Sequence, residues 1–281
     1  MTPLVTAAVL LAAVTHAGWN ALAHRITDKL AGFALISGGG LLIGLALTPF
    51  VPVPAAAAWP CLLGSAALHM AYYALLMRSF ELGDFGQAYP IARGSAPLVV
   101  AVLAAVFAHE VPGTWAAAGL AVSCAGLTGV ALWGLRGRRP DWPAITAALA
   151  TGLSIAAYTV VDGIGVRASG SSLGYVAWLM TVQGTFIPAY VLWRRRGGTA
   201  AMLRPHLRLG LLGAAMSVLA YGLVLWAQTR AALAPIAALR ESSIIVGAAI
   251  GAVFFKERFG APRIAAAGLM VLGIGLMLHA G

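Results

Sequence analysis

Acidic residues are scarce in this chain: eight Asp and Glu in 281 residues, with all charged residues together at 9%. A soluble domain of this size would aggregate with so little charge against 61% hydrophobic residues and a mean hydropathy of +0.90. Only two cysteines are present, Cys61 and Cys124, both within apolar runs. They read as buried small residues rather than as a disulfide or a metal pair. Long polar stretches are missing too, the longest being Arg194–Arg208, which leaves no room for a soluble domain. The N-terminus lacks a basic leader, and its apolar run continues into His16, Trp19 and Asn20, so a cleavable signal peptide is not expected. No Gly-x-Ser-x-Gly occurs, His109-Glu110 is not followed by a second His four residues on, and no paired Asp motif lies on one helix. No catalytic residue, metal ligand or cofactor is therefore expected, and an integral-membrane enzyme competes poorly. A channel is disfavoured by the lack of a charge ring or filter-like segment.

What the chain has is a repeat. Leu62, Leu63, Gly64, Ala66, Ala71 and Tyr72 recur at an offset of 149 as Leu211, Leu212, Gly213, Ala215, Ala220 and Tyr221. Further on the offset becomes 147, and Arg93, Ser95, Val99, Ala101, Ala105, Val106, Phe107 and Glu110 recur as Arg240, Ser242, Val246, Ala248, Ala252, Val253, Phe254 and Glu257. Apolar composition gives chance matches among Ala, Val and Leu, but not an Arg, a Ser and a Glu in register. A duplicated hydrophobic unit marks a membrane transporter whose site lies at the repeat interface. Apolar stretches of about 20 residues, enough to cross ~30 Å of hydrocarbon, recur along the whole chain. Ten are read: Val5–Ala23, Ala31–Phe50, Cys61–Phe80, Phe85–Phe107, Trp115–Leu135, Trp142–Ile164, Leu173–Trp193, Leu209–Thr229, Ala234–Phe255 and Arg263–Leu278. Unbroken runs without period-2 alternation exclude a barrel, so the fold class is an all-α polytopic membrane protein. Residues 1–139 form the first five-helix repeat and residues 140–281 the second, together one transmembrane domain.

Charge placement sets the orientation. Of the eighteen Lys and Arg, fourteen fall in odd-numbered loops and only Arg167 and Arg230 in even ones, while Arg93 and Arg240 lie inside helices. By the positive-inside rule the odd loops are cytoplasmic and both termini face outward. Five helices per repeat make the two repeats antiparallel. The net charge of +10 then reflects topology and contact with anionic head groups, and no nucleic-acid partner is expected. The partners implied are the lipid bilayer and a small-molecule substrate, with a monomer as the simplest assembly.

Ten helices in two repeats, each with an acidic residue ending its fourth helix, resemble the EamA-type members of the drug/metabolite transporter superfamily. The His109-Glu110-Val111-Pro112 and Lys256-Glu257-Arg258-Phe259 segments, each followed by a Gly-rich fifth helix, look like that family's Gly-Glu-x-(Leu/Phe) signature, with His109 and Lys256 where Gly is usual. The Trp, Tyr and His content of the first repeat is most similar to the aromatic amino-acid exporters of that superfamily, the YddG type. The resemblance implies export of amino acids, aromatic and other large apolar ones included, across a bacterial inner membrane by alternating access. Another small metabolite or a drug is the alternative cargo. Relatives are often drawn with cytoplasmic termini, the reverse of the orientation that the charge count predicts for this chain.

Intramembrane polar groups line cavities or pair with one another. Arg93 and Arg240, equivalent under the repeat, either meet a substrate carboxylate or pair internally, Arg240 with Glu241 or Asp162. Arg93 is the preferred carboxylate ligand because Tyr89 precedes it by one turn, where the second repeat has Ile236. On that reading Arg93→Gln abolishes transport while insertion survives. His16, Trp19 and Asn20 share one helical face, as do His69, Tyr72 and Tyr73. Tyr158, one turn before Asp162, and Trp178 and Gln183 complete the candidates for a site with aromatic walls. The competing readings are an interfacial aromatic belt, which suits Trp59, Trp115, Trp142 and Trp193, helix–helix hydrogen bonds for the histidines, and solvation for Asp162. Gly40-x-x-x-Gly44 and Gly247-x-x-x-Gly251 suit close helix packing, and Glu110 and Glu257 suit capping of the helix that follows each.

Overall fold

The computed structural model describes residues 1–82, 85–134, 141–194, 197–246 and 261–279. Among them every regular element is helical: α1 Pro3–Arg25, α2 Lys29–Leu47, α3 Trp59–Leu82, α4 Phe85–Phe107, α5 Thr114–Gly134, α6 Trp142–Ala168, α7 Ser172–Gln183, α8 Phe186–Arg194, α9 Thr199–Leu203, α10 Leu207–Gln228, α11 Leu233–Arg240 and α12 Ala261–His279. Local chemistry sets several starts. Thr2, Asp28, Asp141 and Ser171 each accept a hydrogen bond from a backbone N–H three residues on, capping α1, α2, α6 and α7. Pro3 and Pro143 sit in first turns, where no N–H is missed.

Five segments among the described residues are long and apolar enough to cross a bilayer: Pro3–Ala23, Lys29–Phe50, Trp142–Ala168, Ser172–Arg194 and Thr199–Gln228. Shorter apolar helices lie at Ile91–Phe107 and Ile264–His279. The outward surface is correspondingly apolar, with Leu42, Val102, Leu192 and Trp193 all well exposed. Such a surface suits lipid and not water.

Two of the expected spans are interrupted. In the seventh, α7 ends at Gln183 and α8 begins at Phe186. Pro188 has no N–H to offer the Gly184 carbonyl, and the Ser37 hydroxyl of α2 lies 3.4 Å from that oxygen as its donor. In the ninth, α11 stops at Arg240, a turn follows at 241–242, and helix resumes over 243–246. The equivalent α4 runs through Arg93 without a break.

Packing partners are reciprocal when the halves are exchanged. α1 lies against α10 as α6 lies against α3; α4 contacts α6 as α11 contacts α1; α2 meets α7, and α5 meets α12. Glycines allow the closest of these approaches. A Cβ on Gly119 or on Gly273 would sit 2.4 Å from the other's carbonyl oxygen, and one on Gly44 would sit 2.7 Å from the Ala177 carbonyl. In the first glycine pair only Gly44 is at such a backbone contact, since a Cβ on Gly40 meets side chains at 3.8 Å. The Gly247-x-x-x-Gly251 pair lies outside the described residues.

Candidate functional site

The aromatic faces read from the sequence converge between the two halves. α1 contributes His16 and Trp19, α3 contributes His69, Tyr72 and Tyr73, α6 contributes Tyr158, α7 Gln183, α10 Tyr221 and α11 Arg240, around a cavity of about 50 Å³. Tyr72 and Tyr221, the tyrosines related by the repeat, face it from opposite halves. The His69 ring stacks on Tyr158 at 4.1 Å between centroids and meets Tyr221 edge-on at 5.5 Å, while Tyr72 packs edge-on to Tyr158 at 5.7 Å. Edge and offset geometries of this kind fix ring positions beyond what area burial does.

Hydrogen bonds set both imidazoles. Trp19 Nε1 donates to His16 Nδ1 at 3.2 Å, so the neutral His16 ring carries its proton on Nε2. His69 Nδ1 lies 2.9 Å from the Ser65 carbonyl, which can only accept, so His69 carries its proton on Nδ1 and keeps Nε2 as an acceptor. The Gln183 amide donates from Nε2 to Met180 Sδ at 3.3 Å, and its buried Oε1 has no hydrogen-bond partner. An orphaned acceptor in a cavity wall is costly unless something else supplies a donor.

The two arginines take opposite positions from those the sequence favours. Arg93 Nε lies 2.8 Å from Glu241 Oε2, and its Nη2 donates to Ser243 Oγ at 3.1 Å. Arg240 lines the cavity, and its Nε stands 4.0 Å from Glu241 Oε1. The cause is the break after Arg240. The turn brings Glu241 into the interior, where only 1% of its side chain is exposed, and Arg93 on the unbroken α4 reaches it directly. Asp162, for which solvation at a helix end and pairing with Arg240 are both open readings, is fully buried. Its carboxylate accepts from the Tyr175 hydroxyl at 2.9 Å and from the Tyr221 hydroxyl. With Asp162 held by tyrosines, the Arg93–Glu241–Arg240 cluster places two guanidiniums around one carboxylate. The formal charges of these two arginines and of the buried Glu241 and Asp162 balance, and Arg240 is the cation that lines the cavity wall, where a low dielectric strengthens its pull on an anion.

The other candidates lie elsewhere. Trp178 is in the packed cluster between α3, α6, α7 and α10, against Trp59 at 5.4 Å, and does not line the cavity. Trp59 therefore packs inward and donates to the Pro54 carbonyl rather than serving a belt, whereas Trp115, Trp142 and Trp193 are well exposed at helix ends. The Tyr89 side chain lies outside the described residues. Glu241, Met180 and Ser217 were not read as cavity residues from sequence; Met180 and Ser217 line the wall and Glu241 charges it.

Glu110 does not cap the helix that follows it. One carboxylate oxygen pairs with Arg167 Nη1 at 2.6 Å, and the other accepts from the Leu233 N–H at 2.7 Å, at the start of α11 in the other half. Arg167 completes the clamp by donating to the Gln228 and Ala231 carbonyls at 2.7 and 2.9 Å. His109, one residue before, has φ +55°, the left-handed region that glycine adopts without strain. Among the described residues no group of three His, Cys, Asp or Glu gathers as a metal site.

Comparison with known proteins agrees with this architecture. A solved structure described only as "Crystal structure of protein" superposes with a TM-score of 0.76 over 98% of this chain and 99% of that one, at 17% sequence identity. That likeness establishes a shared fold. None of the curated proteins matches the chain. The model of the EamA-like transporter family matches residues 142–279, so the second half of the chain is similar to that family of transporters.

Proposed function

We propose that this protein exports amino acids, aromatic and other large apolar ones included, from the cytoplasm across a bacterial inner membrane by alternating access. The observation that carries the reading is the Arg240 guanidinium and the orphaned Gln183 Oε1 in the wall of one aromatic cavity. A cation offers itself to a carboxylate, a lone acceptor to an ammonium, and Tyr72, Tyr158, Tyr221, His69 and Trp19 to a large apolar side chain. An α-amino acid carries all three groups. Arg240 takes the carboxylate-binding role in place of Arg93, which is engaged by Glu241 and Ser243.

The cavity as it stands has space for a few waters only, at roughly 10–15 Å³ for each, so the walls must part to admit the cargo. The reciprocal helix pairing supports two inverted five-helix repeats, residues 1–139 and 140–281, rocking about the cavity between them. With the odd loops cytoplasmic and both termini outward, the Glu110–Arg167 clamp lies on the outer side and holds it shut. A monomer suffices for such a cycle.

Counterflow in proteoliposomes tests the function. Vesicles preloaded with unlabelled phenylalanine should accumulate labelled phenylalanine, tryptophan or leucine transiently, and protein-free vesicles should not. If no amino acid in a broad panel exchanges, the amino-acid reading fails and another anionic metabolite or drug becomes the cargo to seek.

A further inference from the structure

A second, larger cavity lies away from the aromatic site, on the membrane-facing flank between α2, α8, α9 and α10. Its volume is about 290 Å³ and its lining is almost wholly apolar, from Leu35, Leu42, Val191, Leu203, Leu207 and Leu211 among others. Gly38 and Gly39 on α2 keep one wall low, and Pro188 after the break between α7 and α8 forms another. Leu203, Leu207 and Leu211 recur every four residues through the short turn into α10, which makes one continuous apolar stripe.

Charge gathers at one end of this groove. Arg204 and Arg208 each follow a lining leucine by one residue, are four residues apart, and are exposed. Arg194 belongs to the same connection, and no acidic residue occurs anywhere between Asp162 and Glu241. Among the described residues neither Arg204 nor Arg208 has an acidic partner. A basic end on an apolar groove of this size, open to the bilayer, matches one kind of molecule: a negatively charged head group with hydrocarbon attached.

We propose that the groove seats an acyl chain of an anionic phospholipid whose phosphate is held by Arg204 and Arg208. The lipid would fill the space between α2, α8 and α10 and neutralise the most basic loop of the chain. Anionic lipids attract juxtamembrane arginines by a per-residue increment that, for two of them, corresponds to roughly a tenfold or greater preference over a neutral lipid.

Native mass spectrometry of the full chain in neutral detergent, titrated with phosphatidylglycerol or phosphatidylcholine of the same acyl chains, tests this. The wild type should retain phosphatidylglycerol about tenfold more tightly or better. Arg204→Gln with Arg208→Gln should bring the two lipids to near parity. Leu42→Trp, at a groove position 62% exposed to the outside, should weaken retention of both by filling the groove without repacking the interior. Equal retention of the two lipids by the wild type, a preference surviving the double arginine change, or retention untouched by Leu42→Trp would each overturn the proposal.

Discussion

Arg93 and Arg240 show how identical residues under a repeat acquire different work. Both are buried, yet Arg93 makes the 2.8 Å contact to Glu241 while Arg240 keeps a longer one and lines the cavity. Different phenotypes are therefore expected. Arg240→Gln should fold and insert, but lose a charge-assisted hydrogen bond worth about 1.5–3 kcal/mol, weakening substrate affinity roughly ten- to a hundredfold. Arg93→Gln removes the close partner of a buried carboxylate and should destabilise the protein by about 3 kcal/mol, seen as a lower unfolding midpoint in detergent. A stable Arg93→Gln protein with lost binding would return Arg93 to the ligand. His109 offers a separate test in the opposite direction. Its positive φ costs a non-glycine residue about 1 kcal/mol, part of which glycine's greater freedom in the unfolded chain offsets. His109→Gly should raise the midpoint slightly, and a fall would show that the imidazole makes a contact that outweighs the strain.

At the scale of elements, the break after Arg240 is what the sequence hid. Nothing in Leu239-Arg240-Glu241-Ser242 announces a turn, because neither Gly nor Pro is present. At this break Glu241 meets buried Arg93 of another element. That contact is tertiary and leaves no local mark. The faces of α1 and α3 were legible for the opposite reason: His16 with Trp19, and His69 with Tyr72 and Tyr73, are spaced for one side of a helix and need no knowledge of their neighbours. Trp178 was misplaced because periodicity says which face a ring is on but not which neighbour it meets. Glu110 was read as a local cap, yet its partners Arg167 and Leu233 are far away in sequence. The clamp it makes is partly exposed, so the ion pair itself contributes no more than about 1 kcal/mol. Glu110→Gln should hence leave folding nearly intact while loosening the α10–α11 connection. A cysteine introduced at Ala231 should then react faster with a membrane-impermeant thiol reagent than in a Glu110 background, and an unchanged rate would show that the clamp holds nothing shut.

At the scale of the whole molecule, the all-helical, apolar character was legible in composition. A chain with few charges and recurrent apolar runs has few folds open to it, and packing partners are exchanged between the halves. Orientation rests on the charge count alone, so it stands as a separate prediction. A cysteine at Thr199, in a background lacking Cys61 and Cys124, should be shielded from impermeant reagents in intact cells; labelling from outside would reverse the topology.

The central claim is that one cavity between the two halves binds an amino acid through Arg240 and its aromatic walls. Phenylalanine counterflow with wild-type and Arg240→Gln protein in matched proteoliposomes, over a range of substrate concentrations, tests it most directly. Saturable exchange by the wild type is expected, with a half-saturation concentration raised about ten- to a hundredfold by the substitution. Equal half-saturation for the two proteins, with both correctly folded, would contradict it.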